Sequence, residues 1–224
     1  MKHLLIFIIL LLSCAAHICN AQSDTTKRKI FSYSVRAGIN ASKQFKLEEW
    51  NDNELEWRHS FNVGATCDLR TSRKFSLRTG IYYSEKGFNG PSPLAYPYTH
   101  LNYLELPLLA VFQQPIGNFV RLEIQVGLFF AYGVSGKRKV WMEYKEIPNG
   151  DGTSSYESVY AMIPCFEDNE WENAMYGRKD AGLNFGLGVN VCHFYIGTSY
   201  DFSLVSNARW SNHCYMFDLG YTFR

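Results

Sequence analysis

The sequence predicts an all-β fold, an eight-stranded antiparallel up-and-down transmembrane β-barrel with short periplasmic turns and long extracellular loops. Three observations predict it: eight stretches in which apolar residues alternate with polar ones or glycine, connections that alternate long and short, and an export-like segment ahead of them. Lipid offers the backbone no hydrogen-bond partner, so a non-helical span must close into a barrel, apolar outside and polar inside. A soluble sandwich also alternates its faces, but it gives no reason for a strict long–short order.

The chain opens with Lys2 and His3, an apolar core over residues 4–12, and small and polar residues up to Ala21. That is the three-part layout of a secretory signal. Residues 1–21 are therefore expected to be a cleaved signal peptide, 22–30 a short periplasmic segment and 31–224 the barrel domain. Leu11-Leu12-Ser13-Cys14 loosely fits a lipidation box, which leaves lipoprotein processing at Cys14 as the alternative. Lys and Arg (22) nearly cancel Asp and Glu (21), which argues against nucleic acid as a partner. The chain is 46% apolar, yet it holds no run of roughly 20 apolar residues that could cross a membrane as a helix.

The first strand, 31–42, keeps period two over twelve positions, with Phe31, Tyr33, Val35, Ala37 and Ile39 outward and Arg36, Gly38 and Asn40 inward. The second, 57–69, sends Trp57, Phe61, Val63 and Leu69 out and Arg58, Asn62 and Asp68 in. The third, about 74–86, turns Phe75, Leu77, Ile81 and Tyr83 to lipid and Arg78 and Tyr82 to the lumen. The fourth, about 101–112, is the least regular: Pro107 lacks a ladder donor and is expected at a bulge or distortion. The fifth, 119–135, is the longest alternation, with Arg121 and Glu123 inward, and should project beyond the membrane. The sixth, 181–191, presents an inner face of Gly182, Asn184, Gly186, Gly188 and Asn190. The seventh, about 194–203, and the eighth, 215–223, complete the set, with Asp201 and Asp218 inward. Connections 43–56, 87–100, 136–180 and 204–214 are long; 70–73, 113–118 and 192–193 are short.

Parity thus turns Arg36, Arg58, Arg78 and Arg121 inward against Asp68, Glu105, Glu123, Asp201 and Asp218. An eight-stranded lumen is only wide enough for side chains to fill it, and an unpaired buried charge is heavily penalised. These charges are expected to pair as a structural plug. Aromatic girdles are expected at both interfaces, from Phe31, Tyr33, Phe75, Phe194, Tyr221 and Phe223 on one side and Trp57, Tyr83, Tyr132, Phe202 and Tyr215 on the other.

The long connection 136–180 is the better functional candidate, because recognition usually sits on long loops carried by a rigid scaffold. Trp141, Tyr144, Tyr156, Tyr160, Phe166, Trp171 and Tyr176 are the candidate contact residues there, mixed with charges as in contact surfaces anchored by aromatics. Residues 140–147 and 154–163 also read as strand extensions around the turn Pro148-Asn149-Gly150-Asp151-Gly152. No catalytic set falls on neighbouring strands; His213 beside Ser211 lacks an acidic orienter. The cysteine spacings fit no metal site, and no cofactor is expected. Cys165 and Cys214 fall on one side of the membrane, so a disulfide between them stays open.

RAGINAS (36–42), FNVG (61–64), SLRTGIYYSEKGF (76–88), LNYLELPLLA (101–110), GLFFAYGVSGK (127–137) and DAGLNFGLGVNV (180–191) resemble the PorT-like outer-membrane β-barrel family of Bacteroidetes across nearly all of the mature chain. The resemblance implies a small eight-stranded barrel in the outer membrane. One founding branch of the family is linked to protein secretion and surface attachment. The expectation is a non-enzymatic integral protein of the cell outer membrane, held by lipid, whose extracellular loops bind a protein or glycan partner or support secretion and attachment. The alternatives are a narrow porin-like channel for small solutes and a membrane-embedded hydrolase using His213.

Overall fold

The computed structural model describes residues 30–46, 55–90, 98–117, 119–148, 154–166, 177–204 and 210–223. Among them are nine strands: β1 (Phe31–Lys46), β2 (Arg58–Arg70), β3 (Phe75–Asn89), β4 (Tyr98–Ile116), β5 (Val120–Pro148), β6 (Ser154–Pro164), β7 (Lys179–Val191), β8 (Phe194–Ser203) and β9 (Trp210–Phe223). Eight of them form a meander that closes on itself. β1 pairs with β2 and β9, and β4 pairs with β5 from Tyr98↔Lys139 to Ile116↔Val120, so the sheet has no open edge within the barrel. Every pairing is antiparallel. This is the predicted closed eight-stranded barrel.

The ninth strand, β6, lies outside the ring. It pairs with the upper half of β5, from Lys137↔Pro164 to Pro148↔Ser154, above the stretch where β5 pairs with β7. Much of the connection 136–180, set out above as a loop, is thus a hairpin, as the strand-like stretches within it suggest. The other long connections are also shorter than expected, because β1, β3, β4 and β9 run several residues further toward that end.

Period two places the faces as expected. Ile39, Ile81, Leu187 and Leu219 are each more than half exposed, whereas Arg36, Arg78 and Glu123 are almost wholly buried. Such an inversion leaves a continuous apolar exterior far larger than a water-soluble surface tolerates, and hydrocarbon is what covers it. Ring pairs mark the two ends of this belt: Phe75–Phe112, Phe194–Tyr221 and Tyr221–Phe223 beside the short turns, and Trp57–Tyr215, Phe61–Tyr83 and Tyr200–Tyr215 beside the long connections.

Within the ring two irregularities break the pattern among the described residues, and the one at Pro107 is a distortion of the ladder and not a bulge. The β3–β4 ladder skips two positions between Thr79↔Leu108 and Tyr82↔Glu105 and then resumes in the same register, so the missing donor costs local pairing without a shift. The bulge lies elsewhere: Tyr103 faces Gly133 and Asn102 faces Ser135, leaving Val134 as the extra residue on β5. Both Val134 and Ser135 are exposed, and from Gly136 the faces of β5 are exchanged. Gly87 has φ 140°, and a Cβ there would collide with the Thr99 carbonyl, so only glycine suits this approach of β3 to β4.

Inside the β7–β8 wall, Gly188 and Gly197 face each other, and a Cβ on either would overlap the Tyr195 ring. These glycines make room for Tyr195, which carries the Arg36 guanidinium 3.6 Å above its ring centroid. Gly188→Val should therefore destabilise the barrel by about 1–3 kcal/mol through overpacking. The urea midpoint of the heat-modifiable band on a denaturing gel would fall, while Lys74→Ala in the exposed turn leaves it unchanged.

Candidate functional site

The lumen is filled by two ionic clusters joined by amides. In the cluster nearer the short turns, Arg78 on β3 donates from Nε to Asp68 Oδ1 (2.6 Å) and from Nη2 to Asp68 Oδ2 (2.8 Å). The same guanidinium donates to both Glu123 oxygens and, from Nη1, to Gln125 Oε1 (2.9 Å). Glu123 also accepts from Arg36 Nη2 (3.3 Å), Gln113 Nε2 (3.1 Å) and Asn190 Nδ2 (2.9 Å). A carboxylate buried this deeply is sustained by charge-assisted bonds on both oxygens.

The second cluster centres on Lys86, whose Nζ lies 2.7 Å from Glu105 Oε2 and 3.0 Å from Asp201 Oδ2, with the Phe129 ring 4.7 Å away. Asn184 donates to Asp201 Oδ1 (2.7 Å) and accepts from Gln125 Nε2 (3.2 Å), linking the clusters into one chain of bonds. The cavity left between them measures about 30 Å³, little more than a water's share of space.

Seven of the nine inward charges set out above fall within these clusters or against them. Asp218 is buried against Gly38 and Arg36 is stacked on Tyr195. The other two do not join. Arg58 sits at the rim, bonded to Glu85 (2.6 Å) and beside His100, and Arg121 makes no ion pair among the described residues. Glu85 Oε1 and Arg58 Nη2 both approach His100 Nδ1, at 2.8 and 2.9 Å; partial burial and the neighbouring Arg58 hold the His100 pKa below its ordinary value.

Sequence reasoning missed Lys86, Asp180 and Arg138. Lys86 continues the inward parity of Arg78, Tyr82 and Ser84, and carrying that period to the expected end of strand three at 86 would have found it. Asp180 accepts from Ser203 Oγ and from Asn212 Nδ2 (2.9 Å); it precedes outward Ala181 and was readable in the same way. Arg138 is buried because of the bulge at Val134, which has no sequence signature.

At the long-connection end an apolar cluster closes the mouth, with Phe88, Leu101, Tyr103, Phe129, Cys165 and Phe166 at its heart. Phe166, expected as a contact residue, is instead buried against Tyr103 and over Gly133. Trp141 and Tyr160 oppose each other across β5–β6, with Tyr144 edge-on to Trp141 at 5.2 Å and Lys139 over Tyr160 at 4.1 Å. Tyr144 and Tyr156 are exposed. Trp171 and Tyr176 lie outside the described residues.

His213 points outward among Phe45, Phe202 and Tyr200. Its Nδ1 shares a hydrogen bond with the Tyr200 hydroxyl (2.5 Å), and Ser211 Oγ lies 3.3 Å from Nε2 but donates to the Ser203 carbonyl and is buried. Among the described residues no carboxylate orients the imidazole, so the pair is not arranged to activate a nucleophile. Among the described residues no group of His, Cys, Asp and Glu could hold a metal ion. Cys165 and Cys214 are both free thiols, so the disulfide left open above is not formed.

Eight strands closed by hydrogen bonds, an apolar belt between two aromatic girdles and a filled, charged interior define an integral β-barrel membrane protein. The family described as outer membrane protein beta-barrel domain matches residues 20–209, and the chain belongs to that family. Membership supports an outer-membrane location, in which short turns face the periplasm and long connections the outside. No curated protein matches the sequence. Among solved structures the chain is similar to Ail, the attachment invasion locus protein of Yersinia pestis, at 17% identity over 87% of this chain and 100% of that one, TM-score 0.43. It is also similar to Neisserial surface protein A (11% identity, 85% and 95% covered, TM-score 0.45) and to the N-terminal β-barrel domain of Pseudomonas aeruginosa OprF (12%, 85% and 97%, TM-score 0.35).

Two outcomes follow from this geometry. Arg78→Leu strands Asp68 and Glu123 without their shared cation and should cost about 3–5 kcal/mol of stability, read as a lower urea midpoint of the folded band. Arg78→Lys keeps the charge but not the fork, and should fall between that variant and the parent. Burial pushes the Cys165 thiol up to about 12, so maleimide at neutral pH should label it far more slowly than a cysteine at exposed position 156 (Tyr156→Cys), as read by mass shift in the folded state.

Proposed function

We propose that this protein is a non-enzymatic outer-membrane scaffold whose long-connection side, led by the β5–β6 hairpin, binds a protein or glycan partner at the cell surface in support of attachment or secretion. The observation that carries the reading is on the hairpin. Met142, Tyr144, Ile147 and Tyr156 are exposed although they lie beyond the lipid belt. Apolar side chains in the belt are covered by hydrocarbon; these are not, and clustered exposed apolar residues mark contact surfaces. The outer edge of β6 also has no strand partner among the described residues, which suits pairing with an extended segment.

The lumen argues against the channel reading. A solute path would have to pass the Arg78 and Lys86 clusters, where about 30 Å³ is open. The same reading keeps residues 1–21 as an export signal and 22–30 as a periplasmic segment, and it includes the finer kinship with PorT-like barrels.

Cells expressing a chain that lacks residues 142–162 should keep the heat-modifiable band in the membrane fraction and lose surface adhesion or the secreted-protein profile of the parent. Unchanged adhesion and secretion at equal barrel levels would sink the reading. In planar bilayers the parent should show no single-channel conductance, and steady conductance would favour the channel instead.

A further inference from the structure

Below the hairpin, where β6 ends and β7 begins, lies an outward cleft of about 650 Å³. Its floor is Val134, the last residue of the lipid-facing stripe that climbs β5 through Leu128, Phe130 and Tyr132. Its walls carry Lys137 and Arg178, with His100 and Tyr98 opposite. Lys139 stands directly above, facing Tyr98 across the ladder, and Lys179 flanks the cleft below, facing Tyr132. Among the described residues no carboxylate lines the cleft. Glu85, bonded to His100 at its rim, is already paired with Arg58 at 2.6 Å.

An apolar stripe that runs without interruption into a one-sided group of cations matches one kind of molecule, an amphiphile with acyl chains and an anionic head. We propose that this cleft binds the phosphorylated headgroup of an outer-leaflet glycolipid, with its acyl chains along Leu128, Phe130, Tyr132 and Val134 and its phosphate against Lys137 and Lys139. Position and chemistry agree. Lysines just beyond the hydrocarbon edge meet phosphates at the depth where lipid heads lie, and each such contact contributes at a water-poor interface. Tyr98 and His100 add flat ring faces suited to a sugar. The proposal rests on the outer-membrane placement but is independent of any partner at the hairpin tip.

The competing occupant is the chain itself. Glu167, Asp168, Glu170 and Glu172 follow Phe166 in sequence and lie outside the described residues.

The test is native mass spectrometry of the refolded full mature chain in zwitterionic detergent, titrated with diphosphorylated lipid A or with the same lipid after its phosphates are removed. The expected result is a one-to-one adduct with the phosphorylated lipid. Its affinity should drop about tenfold or more in Lys137→Ala/Lys139→Ala, stay near the parent value in the charge-keeping Lys137→Arg/Lys139→Arg, and be unchanged in Lys43→Ala on the far side of the barrel. The band shift of each variant reports that it still folds. Equal binding of the dephosphorylated lipid, or unaltered affinity in the double alanine variant, would overturn the proposal. So would an adduct that forms only after Glu167, Asp168, Glu170 and Glu172 are changed to Gln, since the cleft would then belong to the chain's own acidic stretch.

Discussion

Hydrocarbon accepts no hydrogen bonds, and the β4–β5 ladder is the contact through which this chain meets that constraint. Without it the meander from β1 through β9 would be an open sheet with two unsatisfied edges, and each exposed N–H or C=O within the bilayer costs several kcal/mol. The ladder runs the full length of β4, from Tyr98 to Ile116. Everything else is built on that closure. Once the ring is shut, alternate side chains must go inward, and because the outward set has to be apolar, the inward set is free to be polar.

A polar interior in so narrow a tube then becomes demanding. Arg78, Glu123, Lys86 and Asp201 lie where water scarcely reaches, and a buried ion pair gains little over a well-packed apolar substitute while losing one partner costs far more than at a surface. The network answers by redundancy. Glu123 accepts from Arg36, Arg78, Gln113 and Asn190, and Lys86 is held by two carboxylates and one aromatic face. Shared partners of this kind tie strands far apart in sequence to one another. They specify which strands meet across the lumen, a choice that the nonspecific apolar exterior cannot make.

Much of this was legible because a period of two is simple to read. The twelve alternating positions of 31–42 and the glycine-rich inner face of 181–191 assign faces without reference to tertiary structure, and the long–short order of connections then implies a meander. What escaped followed from events that periodicity does not encode. Lys86 was lost because the inward set of strand three was closed at Ser84, although the expected strand reached 86. Phe166 looked like a surface aromatic, yet the bare backbones of Gly133 and Gly136 open a seat for it in the barrel mouth, a complementarity between residues some thirty positions apart. Pro107 interrupts the ladder as a residue without a donor should, and only the unchanged register beyond it lies outside what local rules about proline set.

The bulge at Val134 has the largest consequence for what the outside of the cell would meet. Below it, even-numbered residues of β5 face lipid: Leu122, Ile124, Val126, Leu128, Phe130 and Tyr132. If that parity continued, Arg138 would face outward and Lys137, Lys139 and Trp141 would turn toward the barrel axis. One extra residue reverses this, burying Arg138 opposite Thr99 and setting Lys137 opposite His100 and Lys139 opposite Tyr98 on the outer face. The bulge sits where the apolar belt ends, so the exchange of faces coincides with the change of solvent from hydrocarbon to headgroup and water. A single continuous strand thereby serves two environments, as a wall of the barrel below and, above, as the spine of a hairpin that presents cations and aromatic rings.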